Sequence, residues 1–368
     1  MSAPTPEPAA AADTAADTAA DAARAAQARA LPKVLLHEHL DGGLRVATLL
    51  QLLQQRGLTP PEPDEPRLAA WFNANAHAGS LEKYLEGFAL TVAAMASPEA
   101  LRRVAREAAE DAHADRAVLA EFRIAPLLFE AHGLSGEAAV EAMLQGLADS
   151  PLPLLRQSGL IICAMRQLPA SETERAATLA LKYQGQGVVG FDLAGPEAGF
   201  PPSLHQAALR RLRDAGLPLT LHAGEADSAQ RVLDAARLGA ARIGHGVRLV
   251  DALRGAAASD LIDEAKALGL HLEVCPTSNV HTGAAASIAE HPITALWQAG
   301  VSLSYHTDNR LMSCITHSEE AAQLLRHTPL SAGDLLAMAR HAAGHSFLLQ
   351  SARAAALDAI DAARPPAA

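Results

Sequence analysis

The chain has 368 residues, 49% of them apolar and 3% aromatic, and its 41 acidic side chains outnumber 30 basic ones for a formal net charge of −11. That negative surface repels phosphate backbones, which argues against a nucleic-acid partner and suits a small neutral molecule. No run is long and apolar enough to cross a bilayer, no basic segment precedes the N-terminal alanines as in a signal peptide, and Cys163, Cys275 and Cys314 lie at spacings unlike a disulfide framework. A cytoplasmic protein without membrane contact is the expectation.

Residues 1–30 are nearly all Ala, Asp, Pro, Thr and Glu, ending in the alanine-rich stretch Ala22 to Ala30. With no apolar face to bury, they are expected to be a mostly disordered tail, leaving residues 31–368 as one domain. From Leu31 onward, short apolar runs that end in polar clusters alternate with Ala/Leu/Arg/Glu stretches of helical character. The runs are Val34–Leu36 before HEHLDGG, Val118–Ile124 before APLLFE, Gly159–Ala164 before MRQ, and Val188–Phe191 before DLAGPE. Leu217–Leu221 before HAGE, Arg242–Ile243 before GHGVRL, Leu270–Val274 before CPTSN and Val301–Ser304 before YHTDN complete the series. Buried parallel strands read as continuous apolar runs, and eight strands alternating with helices predict a (β/α)8 TIM barrel. Between the first two runs lie a proline-rich stretch, Pro60–Pro66, and an extra helical pattern, Leu81–Ala94, which predict a helical insertion after strand 1 placed to cap the barrel mouth. An open doubly wound sheet is the competitor. Against it, no glycine-rich phosphate turn follows the first strand, and polar clusters recur at nearly every strand end, where barrels keep their chemistry.

His37 and His39 stand two apart at a strand end and so share one face. Alone the pair is weak evidence in a chain with 16 histidines. His222 at the end of the fifth run, His245 between two glycines, and Asp308 at the end of the eighth run add three ionisable groups at strand ends. His37, His39, His222 and Asp308 make three imidazoles and one carboxylate, a mixed set that fits one catalytic Zn2+ per chain with room for water. Iron, cobalt or manganese suit similar ligands.

In their order along the chain, HEHLDG at 37–42, DLAG at 192–195, HAGE at 222–225, GHGVRL at 244–249, CPTSN at 275–279 and HTDN at 306–309 closely resemble the adenosine deaminase family of metal-dependent amidohydrolases. The resemblance runs from about Pro32 to the region of Phe347. It implies that His37, His39, His222 and Asp308 hold zinc, that Glu225 exchanges a proton with purine N1, and that His245 positions or activates the attacking water. It also implies that Asp41 meets the ribose hydroxyls, that the Gly195 N–H approaches N3, that Asn309 faces N7, and that Tyr84 and Phe88 pack over ribose and base. Plain core is the other reading of Tyr84 and Phe88.

Two positions depart from the family pattern. Asn309 stands where many members have a second Asp, and Pro196 follows Gly195 where others often carry an acidic residue. His306 reads as either a partner to the ligands or a packed strand histidine. His113, His132, His205, His281 and His291 are expected at the surface or in loops, and Leu101–Asp115 as a solvated outer helix. The activity implied is deamination of adenosine and 2′-deoxyadenosine, with a small purine nucleoside as the partner. The alternatives are another adenine-bearing compound (adenine, an N6-modified adenine, a futalosine-type nucleoside) or a catalytically silent nucleoside-binding barrel.

Overall fold

Each apolar run becomes a strand: β1 (Lys33–Leu35), β2 (Ala117–Ile124), β3 (Ser158–Met165), β4 (Val188–Ala194), β5 (Leu219–Ala223), β6 (Ala240–His245), β7 (His271–Val274) and β8 (Ser302–Tyr305). In the computed structural model, which describes residues 8–77, 81–149, 157–253 and 259–363, they form one sheet in sequential order. Every neighbouring pair is parallel. This is the predicted TIM-barrel architecture. The seam between β8 and β1 is joined by residues just beyond the strand ends: Asp308 N–H donates to the His37 carbonyl (3.0 Å) and His39 N–H to the Asp308 carbonyl (2.9 Å).

The insertion between β1 and β2 is helical, as predicted. With the N-terminal helix α1 (Pro8–Ala30) counted first, it holds α2 (Val46–Gln55), α3 (Glu65–Ala76), α4 (Leu81–Met95) and α5 (Pro98–Ala114). Its helix starts are written locally. Asp64 accepts from Arg67 N–H before α3, Ser97 accepts from Ala100 N–H before α5, and each helix has proline in its first turn. α5 is not merely a solvated outer helix, because Leu101, Val104, Ala105, Ala108, Ala109 and Ala112 form a buried stripe at helical spacing.

The N-terminal segment differs from expectation. Residues 8–30, read from sequence as mostly disordered, form α1, which packs on the His317–His327 helix. Ala28 is fully buried, and Asp21 meets Arg326 at 3.1 Å. Alanine is the strongest helix former, and its small side chain lets two helices approach closely without a large apolar stripe. A carboxylate at Ala28 cannot stay docked. Ala28→Asp should therefore speed tryptic cleavage after the exposed Arg29 by roughly tenfold for each ~1.4 kcal/mol of docking lost. Equal cleavage rates in the two proteins would return α1 to a free tail.

Candidate active site

The barrel interior is polar at its centre. Glu273 on β7, with no solvent exposure, accepts hydrogen bonds from His37 Nδ1 (2.9 Å), Arg123 Nη2 (2.6 Å), Arg242 Nε (2.6 Å) and Thr220 Oγ1 (2.9 Å). Burial opposes its ionisation, but Arg123 and Arg242 outweigh that and hold Glu273 well below the usual carboxylate range. Arg123 reaches on through Nη1 to Asp192 Oδ2 (2.7 Å), and Asp192 Oδ1 accepts from His222 Nδ1 (3.0 Å). Asp192 is likewise held low, against burial, by His222 and Arg123. Arg242 Nη2 lies 2.7 Å from Glu121 Oε2, and its guanidinium stacks 3.6 Å over the Phe347 ring.

These contacts fix two imidazoles. Because Nδ1 of His37 and of His222 donates to a carboxylate, the lone pair of each ring sits on Nε2, the nitrogen turned toward the barrel mouth. His37 Nε2 is buried without a hydrogen-bond partner and stands 3.3 Å from Asp308 Oδ1. His39 Nε2 lies 3.3 Å from His222 Nε2 and 3.5 Å from Asp308 Oδ1. A tetrahedral ion with bonds near 2.0–2.1 Å needs ligand–ligand edges of about 3.3–3.4 Å. The donor set therefore fits a zinc-sized cation, whose charge would also satisfy the orphaned His37 nitrogen.

His245 joins the same cluster: its ring, His37, His222 and Asp308 offer atoms all within 4.8 Å of one another. His39 and His245 thus each lie beside donors of the His37, His222 and Asp308 set. Gly244 makes room for them, since a Cβ there would come within 2.9 Å of His37 Cε1 and 3.3 Å of the His222 ring. Asp308 (φ 59°) and His245 (φ 64°) both adopt left-handed backbone, which side chains other than glycine seldom occupy. Ser278 Oγ donates to Asp308 Oδ2 (2.7 Å), turning Oδ1 toward the histidines.

Glu225 is half-buried beside this cluster, with Oε2 3.5 Å from His245 Nε2. Its Oε1 accepts from Asn279 Nδ2 and Thr282 Oγ1, each at 2.8 Å. The backbone of the 224–226 turn is pinned by Glu197, which accepts from the N–H groups of Gly224 (2.8 Å), Glu225 (2.9 Å) and Ala226 (3.3 Å). Asp41 is buried in the Leu40–Gly42 turn, on which α4 packs, and burial pushes its carboxyl up to about 7. Asn309 is buried against Gly42, and Gly195 follows β4 with φ 99°. Phe88 is half-buried on α4 and packs on the core, while the Tyr84 side chain lies outside the described residues.

Two histidines expected at the surface or in loops lie in connecting segments but are buried. His205 is buried, its ring between Thr173 Oγ1 (2.8 Å) and the Arg166 carbonyl (3.0 Å). His291 is buried against Asn279 (3.3 Å). Both occupy proline-flanked loops that turn inward, where backbone groups need partners. His306, the residue after β8, is packed rather than turned to the ligands: Nδ1 accepts from Leu36 N–H (3.2 Å) and Nε2 pairs with Ser304 Oγ (2.7 Å). Glu273, Asp192, Glu197, Ser278 and Asn279 received no role from sequence reasoning. The available signal was charge inside apolar strands: Glu121 and Arg123 alternate on β2, and Arg242 and Glu273 interrupt β6 and β7.

A parallel (β/α)8 barrel with histidines and a carboxylate converging on an ion-sized point beside a glutamate defines a metal-dependent hydrolase architecture. The comparisons give the family. The family model described as adenosine deaminase matches residues 32–363. The adenosine deaminase of Mycolicibacterium vanbaalenii is 42% identical over 348 residues, covering 90% of this chain and 94% of that protein. Among solved structures, the N6-mAMP deaminase of Arabidopsis aligns with a TM-score of 0.78 at 27% identity, over 91% of this chain and 99% of that one. The adenine deaminase of Arthrobacter aurescens shares the fold with a TM-score of 0.81 at 23% identity, over 90% and 98%. The chain belongs to the adenosine deaminase family.

Glu273→Gln tests the buried ladder. Removing one carboxylate leaves two guanidinium groups underpaired, so stability should fall by ~3–5 kcal/mol in urea unfolding. Zinc affinity, read by chelator competition, should drop ~10–100-fold as His37 loses its anchor. Native values of both would show that the ladder does not orient the ligands.

Proposed function

We propose that this chain hydrolyses adenosine and 2′-deoxyadenosine to inosine and 2′-deoxyinosine with release of ammonia, at one zinc ion held by His37, His39, His222 and Asp308. The observation that carries the reading is the convergence of those four side chains, two of them oriented by buried carboxylates, beside Glu225. Zinc held there supplies the means of ionising water near neutral pH. Glu225 carries the proton for purine N1 on Oε2, because Oε1 is engaged by Asn279 and Thr282. Protonation at N1 disrupts ring resonance and makes C6 electrophilic. His245, beside Oε2, positions the attacking water, while Glu225 takes its two protons in turn, passing the first to N1 and the second to the leaving nitrogen. Asp308, steadied by Ser278, stabilises the tetrahedral centre. The water oxygen bonds to C6 as the C6–N6 bond breaks. Of its two protons one ends on N1 and one on ammonia, so the protein is restored.

Preference for a nucleoside over a nucleotide is supported by two arginines that are already paired. Arg45 donates to Asp111 (Nε–Oδ1 2.9 Å) and reaches Glu110 (3.3 Å), while Arg310 pairs with Glu38 (2.7 Å) and Asp111 (3.2 Å). Both line a cavity between α1, α5 and the His317–His327 helix, away from the ligand cluster. Their charges are already neutralised, so neither is available to a 5′-phosphate. Asp41, with Oδ1 lacking a hydrogen-bond partner, offers an acceptor for a ribose hydroxyl. Asn309 donating to N7, the Gly195 N–H at N3, and Tyr84 and Phe88 over the sugar and base complete the proposed contacts. Free thiols at Cys163 and Cys275, both buried, support a cytoplasmic location.

Purified protein should contain about one zinc per chain. His37→Ala or Asp308→Ala should abolish metal and turnover together, and full turnover after chelation would sink the metal reading. With metal retained, Glu225→Gln should lower kcat by at least ~10²-fold, since the amide cannot deliver the proton. Loss of adenine absorbance for adenosine, 2′-deoxyadenosine, AMP, N6-methyl-AMP and adenine, compared side by side as kcat/KM, decides the substrate. A higher value for either nucleotide or for adenine would overturn the nucleoside assignment while leaving the hydrolase intact.

A further inference from the structure

His245 offers a ring nitrogen within 4.8 Å of the His37, His222 and Asp308 donors, yet it must stay out of the ligand set to serve the attacking water. The reason lies one layer away from the site. Ile293 N–H donates to His291 Nδ1 (3.0 Å), so that nitrogen holds the lone pair and the ring proton sits on Nε2. Nε2–H faces Asn279 Oδ1 at 3.3 Å. The amide is thereby oriented, and its Nδ2 donates to Glu225 Oε1 (2.8 Å) and to His245 Nδ1 (3.2 Å). With Nδ1 accepting, the neutral His245 ring carries its proton on Nε2, the nitrogen facing Glu225 Oε2 at 3.5 Å. A protonated nitrogen cannot ligate a metal. Turning the amide over would set Asn279 Oδ1 against the Glu225 carboxylate and Nδ2 against the His291 N–H, so two contacts resist it. Burial holds His291 down at about 3, with His245 adding in the same direction, which keeps its ring neutral and its single proton on Nε2.

We infer that His291 is a positioning residue: acting through Asn279, it fixes the tautomer of His245 and steadies Glu225, keeping His245 a hydrogen-bond donor to the attacking oxygen rather than a fifth ligand. The catalytic consequence rests on the deaminase reading above, whereas the hydrogen-bond chain does not.

The test uses full-length protein with 15N-labelled histidine, both metal-free and zinc-loaded, with the His245 signals assigned by their loss in His245→Gln. His245 Nδ1 should show the shift of an unprotonated nitrogen and Nε2 that of a protonated one. His291→Gln places an amide nitrogen near the Nε2 position and should preserve this pattern. His291→Asn, whose nitrogen falls near Nδ1, and His291→Leu should mix the tautomers. On turnover, the Asn and Leu variants should lose ~10–100-fold in kcat, with KM within ~2-fold, as for an interaction made in the transition state. The Gln variant should keep most of the native rate. A native His245 bearing its proton on Nδ1 overturns the inference, as does an Asn variant with native tautomer and native kcat. The spectra need no substrate, so failure of the deaminase assignment leaves that arm standing. If the Leu or Asn variant does not fold, the tautomer in the native protein decides.

Discussion

Glu273 takes four hydrogen bonds in the closed interior of the barrel, two from guanidinium groups, one from a hydroxyl and one from the imidazole of His37. An isolated carboxylate at that depth would be protonated or would destabilise the fold. Arg123 and Arg242 keep it charged, and a charged Glu273 holds His37 with its lone pair toward the site. Arg123 does the same for His222 by holding Asp192. Packing and chemistry are therefore one arrangement here. The groups that fill the centre of the barrel also decide which nitrogen of each ligand histidine is available.

The barrel seam adds a second constraint. The backbones of His37, His39 and Asp308 hydrogen-bond one another across the β1–β8 junction, so side chains far apart in sequence share one rigid frame. Asp308 pays for its position with a left-handed backbone, and His245 adopts the same conformation at the end of β6. Such conformations persist where surrounding structure over-determines them. Here the seam bonds, the Ser278 contact and the Asn279 contact do so.

Charge follows the same logic. In the described interior, Glu121, Asp192 and Glu273 face Arg123 and Arg242, and Asp308 adds a further carboxylate at the mouth. The excess is negative, and it lies beside imidazole nitrogens whose lone pairs point outward. A divalent cation is the species that such a centre accommodates without repulsion. The Glu225 carboxylate sits apart from this ladder, bound by Asn279 and Thr282 rather than by arginine.

The sequence alone determined the strands and their order, and it pointed to the histidines and the carboxylate that the fold brings together. Buried parallel strands must be apolar along their length, period-two spacing must turn His37 and His39 to one side, and barrel chemistry must gather at strand ends. It could not determine what α1 does, because a helix of alanines buries itself by close approach and presents no large apolar stripe to read. Nor did it assign Glu273, Asp192 or His291. A charged residue within a strand is legible as an interior position, but its partner comes from another strand, and only closure of the barrel brings Arg123 between Asp192 and Glu273. Which nitrogen of His245 bears the proton lies further still from the sequence. That is fixed by a hydrogen-bond chain through Ile293, His291 and Asn279 to a residue on β6, and only the folded loops bring those groups into contact.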